Sequence, residues 1–279
     1  MTSYLQYLLP HHLLSALMHA IARVEWAPLK DFIISRVVDI YDVDLSSARE
    51  ENPKNYASFN AFFTRQLKAE ARPVAEGNII VSPVDGTVSQ AGDIRHGRIF
   101  QAKQHSYSLT ELLGGKENLA KEFENGKFAT IYLSPRDYHR IHMPADGKLR
   151  EMTHVPGRLF SVSPETTRAV SRLFARNERL INLFDSDNGP FAVIMVGAIF
   201  VSSMDTVWEG TVTPRRQQPT SWHYNQQQRN IELAKGEEMG RFNMGSTVIL
   251  LFPENSVDWM DMLAPGSKVQ MGQAITDGV

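Results

Sequence analysis

The stretch MGRFNMGSTVILLF, Met239–Phe252, ends in an uncharged run of β-branched and apolar residues behind a Gly-Ser-Thr step. Such a run, bounded by a turn signal, reads as a strand buried on both faces. Comparable runs occur in IIVSPVDGTVSQAG, FATIYLS and FAVIMVGAIFVSS, each flanked by Gly, Pro, Asp or Asn. Strands outnumber helices after about residue 75, and no strand–helix–strand alternation is seen. The pattern predicts an α+β fold: a helical N-terminal region followed by a mainly antiparallel β body. Further helices are predicted over Leu109–Asn118 and near Pro164–Arg172. The fragments PVDGTVSQAG and PGSKVQMGQAI each read as strand, Gly turn and second strand.

Ahead of the β body, residues 10–43 carry helical periodicity. Leu13, Leu14, Leu17, Met18, Ile21 and Val24 recur at three- and four-residue steps, with His12, Ser15, His19 and Arg23 opposite. Pro28 opens a second helix whose stripe is Leu29, Phe32, Ile33, Val37 and Ile40. A third, short helix is predicted over Phe59–Leu67. Periodicity alone leaves two readings open, packing of these stripes on the body or docking of amphipathic helices in a membrane interface.

Composition narrows the function classes. The 279 residues are 42% hydrophobic and 22% charged with a net charge of -2, which suits a folded core and argues against general nucleic-acid binding. Cysteine is absent, so disulfides, thiol nucleophiles and thiolate metal sites are excluded together. The longest charge-free apolar stretch, around Pro190–Met204, is shorter than the ~20 residues of a membrane-spanning helix and contains Gly197. No secretory signal pattern is read at the N-terminus.

Three segments concentrate reactive groups. Asp85-Gly86, between two β-prone runs, is by itself a hairpin-turn signature. SPRDYHRIHMP, Ser134–Pro144, places His139, His142, Arg136, Arg140 and Tyr138 in one short stretch. The His139/His142 spacing admits a shared metal, but no companion ligand stands at a recognisable distance, and acid–base chemistry competes with a structural histidine pair. In the third segment the Ser246 hydroxyl lies one residue from the Gly245 carbonyl, which glycine leaves open to close approach. Attack of one on the other needs a base and an orienter, roles that His142 and Asp85 can supply.

Together, PVDGTVSQ, YLSPRDYHRIHMP and GRFNMGSTVILLF resemble the phosphatidylserine decarboxylase proenzyme family, bacterial membrane-associated type. NPKNYASFNAFFTRQLK, QAKQHSYSLTELLGG, REMTHVPGRLFSVSPETT, LFARNERLINLFD and VGAIFVSSMDTVWEG follow in the family's order, so the resemblance spans nearly the whole chain. One departure is Met244, where the family commonly has Leu. The resemblance implies autocatalytic serinolysis between Gly245 and Ser246, giving a large chain 1–245 and a small chain 246–279 that remain together as a heterodimer. Ser246 becomes a covalent pyruvoyl cofactor, and no metal is implied. Asp85, His142 and Ser246 form the maturation triad, and His139 serves decarboxylation of phosphatidylserine to phosphatidylethanolamine. Arg136, Arg140 and His105 are the candidates for the phosphate. Residues 1–70 are then a helical membrane-associating region and 71–279 the catalytic domain, peripheral on the cytoplasmic face of the inner membrane. The competing readings are a serine hydrolase with an Asp-His-Ser triad and a non-catalytic lipoyl-like module.

Overall fold

A computed structural model of the chain describes residues 6, 9–102, 105–199, 203–212, 218–225, 229–244 and 246–278. Two helices open it, α1 (His11–Ala22) and α2 (Ala27–Tyr41), followed by the short α3 (Phe59–Phe63). Pro28 lies in the first turn of α2, where its missing N–H costs nothing. Ser58 caps α3, its Oγ accepting from the Ala61 N–H at 3.2 Å.

The body contains strands β1 (Gly86–Asp93), β2 (Arg98–Ala102), β3 (His105–Ser108), β4 (Lys127–Leu133) and β5 (Arg140–His142). They are followed by β6 (Gly147–Val155), β7 (Arg179–Ser186), β8 (Gly189–Val196), β9 (Met204–Thr206) and β10 (Gly210–Val212). The last are β11 (Thr220–His223), β12 (Glu232–Leu233), β13 (Glu238–Phe242), β14 (Ser246–Phe252) and β15 (Lys268–Val269). The main sheet runs β11-β6-β7-β8-β14-β4-β1-β15, with β12 also on β6, and its pairings are antiparallel. A smaller sheet runs β10-β9-β13-β5, and β2 pairs with β3. This is the predicted fold class. The helix expected over Leu109–Asn118 is instead two short ones, Leu109–Leu112 and Glu117–Glu122, broken at Gly114 and Gly115, both with positive φ.

β14 sits between β8 and β4, and all seven of its residues are buried, as the uncharged run predicts. The two strand–Gly–strand fragments do not form separate hairpins. They pair with each other, Gly86 opposite Val269 and Val81 opposite Ala274. Gly86 is required for close approach and not for a turn, since a Cβ there would lie 2.5 Å from the Tyr132 carbonyl oxygen.

Burial divides the apolar side chains between two clusters. The larger fills the β body; the smaller gathers Ala22, Ile34, Val43, Tyr56, Phe59, Phe62 and Phe63 from the helical region. α1 turns His11, Ser15 and Ala22 inward, with Leu14, Met18 and Ile21 half-buried, whereas Leu13 and Leu17 are 68% and 56% exposed. Trp26, Phe32 and Ile40 are likewise exposed. Among the described residues no helix is long and apolar enough to cross a membrane.

Candidate active site

Two connections meet at one end of the sheets. Residues 134–139 lead from β4 to β5, and residues 243–245 lead from β13 to β14. Ser246 stands opposite Leu133 in the main sheet, and the Phe242 N–H donates to the His139 carbonyl at 3.1 Å. Register therefore brings His139 to the end of the sheet where Ser246 begins its strand. His142 lies opposite Glu238, three residues or about 10 Å of strand further along.

Ser-Pro-Arg-Asp builds the first connection. Pro135 suits the second position of a turn, and Asp137 accepts from the Ser134 N–H and Oγ at 2.7 and 2.8 Å. The Ser134 carbonyl then accepts from His139 Nε2 at 3.0 Å, which puts the ring proton on Nε2 and leaves a lone pair on Nδ1. That Nδ1 is buried and has no hydrogen-bond partner among the described residues. Phe63 of α3 stacks on the ring at 4.0 Å between centroids. Burial, reinforced by the nearby Arg65 cation, pushes the His139 pKa down to about 3. A histidine close to its ordinary value of ~6.5, able to hold either protonation state at working pH, is the expectation from sequence. The structure corrects it: the resting ring is neutral.

Ser246 is fully buried, and its Oγ, like Oγ1 of Thr247, has no hydrogen-bond partner among the described residues. An unsatisfied buried hydroxyl costs about 1–3 kcal/mol, so its position calls for a chemical explanation. Just upstream, Met244 has φ 121°, a value that L-residues rarely adopt and that stores about 1–3 kcal/mol of strain. Gly245, assigned to the cleaved bond, lies outside the described residues.

Asp85 and His142 run side by side, the His142 N–H donating to the Pro83 carbonyl at 2.8 Å, yet their side chains do not bond to each other. Arg72 grips the Asp85 carboxylate as a fork, Nε at 2.9 Å and Nη2 at 2.5 Å, and the Met271 N–H donates to it at 2.8 Å. His142 donates from Nδ1 to the Gly236 carbonyl at 2.8 Å and accepts at Nε2 from the Tyr138 hydroxyl at 2.9 Å. The group that orients His142 is thus Gly236, with Asp85 acting at a distance. Burial lowers the His142 pKa, and the Gly236 carbonyl, Glu238 and Asp85 pull it back up. In this resting arrangement Asp85, His142 and Ser246 share no hydrogen bond.

Of the phosphate candidates, Arg140 is committed to the Thr64 carbonyl and Glu238, and His105 stands on the separate β2–β3 pair. The sequence names Tyr138 without giving it a role and does not single out Arg72, Phe63 or Arg65. The last two sit in the SFNAFFTR segment, whose only signal was its place in the quoted motifs.

A family model described as phosphatidylserine decarboxylase matches residues 59–277, and a second, described as PSD, matches residues 2–42. A protein of Bordetella pertussis named phosphatidylserine decarboxylase proenzyme is 54% identical over 272 residues, 97% of this chain and 92% of its own length. Proteins of the same name from Ectopseudomonas mendocina and Nitrosococcus oceani are 53% and 52% identical over 272 residues, covering 97% of this chain and 95% and 89% of their own lengths. With a domain model over most of its length and relatives at this identity, the chain belongs to the phosphatidylserine decarboxylase family.

Proposed function

We propose that this chain decarboxylates phosphatidylserine to phosphatidylethanolamine with release of carbon dioxide, after cutting itself between Gly245 and Ser246. The observation that carries the self-processing is the buried, unpartnered Ser246 hydroxyl at the head of a core strand, behind a strained residue. Oγ attacks the Gly245 carbonyl carbon and the C–N bond breaks, giving an ester and a free amine at position 246. Loss of the Ser246 α-proton and of the C–O bond frees the Gly245 carboxylate and leaves dehydroalanine. One water then replaces the nitrogen, releases ammonia and leaves a pyruvoyl carbonyl. A carbonyl conjugated to an amide is an electron sink for the carbanion left when carbon dioxide departs.

In this reading Asp85, His142 and Ser246 carry maturation. His142 takes the Ser246 proton at Nε2 once the Tyr138 hydroxyl gives up that lone pair, an exchange of one hydrogen bond for another. Asp85 favours the resulting imidazolium through space. The large and small chains stay together because β14 is held on both sides, by β8 and β4. His139, whose Nδ1 faces no protein partner, serves the substrate. Intact mass spectrometry of the purified protein tests the scheme: two chains, residues 1–245 and 246–279, are expected, with position 246 a pyruvoyl group. A single full-length chain that turns over phosphatidylserine would refute self-processing, and a single chain with esterase activity would favour the hydrolase reading.

The protein is placed at a membrane surface, peripheral on the cytoplasmic face, through residues 1–70, with 71–279 as the catalytic domain. The exposed Leu13, Leu17, Phe32 and Ile40 and the separate helical core support that division. Each such side chain contributes up to about 1.5–3 kcal/mol when fully withdrawn from water, so the four together suffice to hold an interfacial helix pair. Deleting the helices would also strip Ala22 and Ile34 from the smaller core, so surface substitution is the cleaner probe. Changing these four residues to Ser is expected to lower vesicle flotation by more than about tenfold while leaving self-cleavage intact. Undiminished flotation would refute the anchoring role.

A further inference from the structure

Arg65 follows α3 and is only 4% exposed, yet no carboxylate makes an ion pair with it among the described residues. Its Nη2 donates to the Arg136 carbonyl at 2.8 Å, whereas Nε and Nη1 are buried donors with no partner. A guanidinium in that state is costly unless an anion completes it. It lines a cavity of about 600 Å³ that also receives Arg23, Arg49, Arg140 and Arg241, against the lining carboxylates of Glu50 and Asp205, with Arg140 itself held by Glu238. Arg241 donates through Nε to Asp205 at 3.1 Å, and its Nη groups have no partner among the described residues. Asn243 closes the wall nearest the reactive turn, its Oδ1 accepting from Asn60 Nδ2 at 3.1 Å. At the other side Arg23 ends α1, close to the exposed Trp26. The cavity thus extends from the helices with exposed apolar faces to within three residues of Ser246.

We infer that this arginine-lined cavity is the receptor for the phosphodiester of the lipid headgroup, with Arg65 and Arg241 as its principal donors. The inference rests on the decarboxylase reading and names the part of the substrate held there. Phosphatidylserine carries two anions, and the chemistry separates them. A cation placed on the carboxylate would stabilise a charge that must leave it, favouring the ground state over the transition state. The phosphodiester keeps its charge from substrate to product, so binding energy applied there anchors the lipid without opposing the reaction. Arginine forks match its oxygens. A bridge of one methylene and one oxygen links the serine Cα to phosphorus, so the receptor has to lie beside position 246, as Asn243 does.

The test uses matured wild-type enzyme with Arg241→Gln, Arg65→Lys and Arg65→Gln, and has two readouts. Steady-state kinetics on short-chain phosphatidylserine is expected to show KM raised roughly tenfold or more with kcat nearly unchanged, the mark of lost uniform binding. Calorimetric titration with glycerophosphoethanolamine is expected to show binding to wild type that weakens roughly tenfold or more in the variants. Unchanged KM with reduced kcat, or equal diester binding by variant and wild type, would overturn the inference. So would inorganic phosphate binding wild type as tightly as the diester, which would identify a free-phosphate site. Should the Arg65 variants fail to fold, Arg241→Gln decides alone. Diester binding is read without turnover, so failure of the decarboxylase reading is distinguishable: wild type would then bind the diester and leave phosphatidylserine intact.

Discussion

Ser246→Ala is expected to remain a single chain and to produce no phosphatidylethanolamine at any enzyme concentration. The loss is complete because one oxygen serves twice, as the nucleophile that opens the Gly245 carbonyl and as the leaving oxygen of the elimination that creates the new carbonyl. Loss of a general base leaves a residual reaction through water; loss of the atom that becomes the cofactor leaves none. The substitution removes an unsatisfied buried hydroxyl, so the uncut variant should fold without penalty, and its fully buried site accepts a methyl group. A denaturing gel and intact mass decide the matter. Two chains from this variant would sink the whole scheme, because the bond would then be cut by something other than Ser246.

The elements read best from sequence are those whose evidence is local. The uncharged run before Phe252 announces a strand buried on both faces, and Pro28 announces a helix start; both are found. Asp85-Gly86 carries the same letters as a hairpin turn, but its partners come from β4 and β15, the latter 181 or more residues downstream, and no local pattern encodes that pairing. Periodicity located the stripe of α1 without saying which side meets the body. The side that does carries His11, Ser15 and Ala22 and is tied down by His11, whose Nδ1 accepts from the Leu159 N–H at 3.3 Å. Arg65 and Arg72 stayed invisible for a related reason. An arginine by itself reads as surface, and only folding reveals that one grips Asp85 and the other is buried with no carboxylate in an ion pair among the described residues. The histidines were found as a pair, but their separation into two environments depends on the β5–β13 register.

That separation sets the second large expectation: His139→Ala still cleaves into two chains carrying the pyruvoyl group, yet turns over phosphatidylserine about 10²–10⁴-fold more slowly. The Ser134 carbonyl holds the ring proton on Nε2, leaving Nδ1 as a neutral, buried acceptor at the end of the sheet where Ser246 stands. With a pKa near 3 in the resting site the ring cannot act as an acid there. The carbanion left when carbon dioxide departs supplies the opposite charge that favours the imidazolium, so the ring's charge assists the transition state rather than the ground state. His139 can then take a proton from the substrate ammonium, hold it while carbon dioxide leaves, and return it to Cα. His142 lies three residues further along the strand, with its Nδ1 held by the Gly236 carbonyl. Removing the ring also removes its stacking on Phe63, so cleavage of the variant doubles as a check that the fold survives. An uncut His139→Ala chain would assign the residue to maturation or to folding of its loop and remove it from the decarboxylation step. Wild-type turnover would leave it no catalytic part at all.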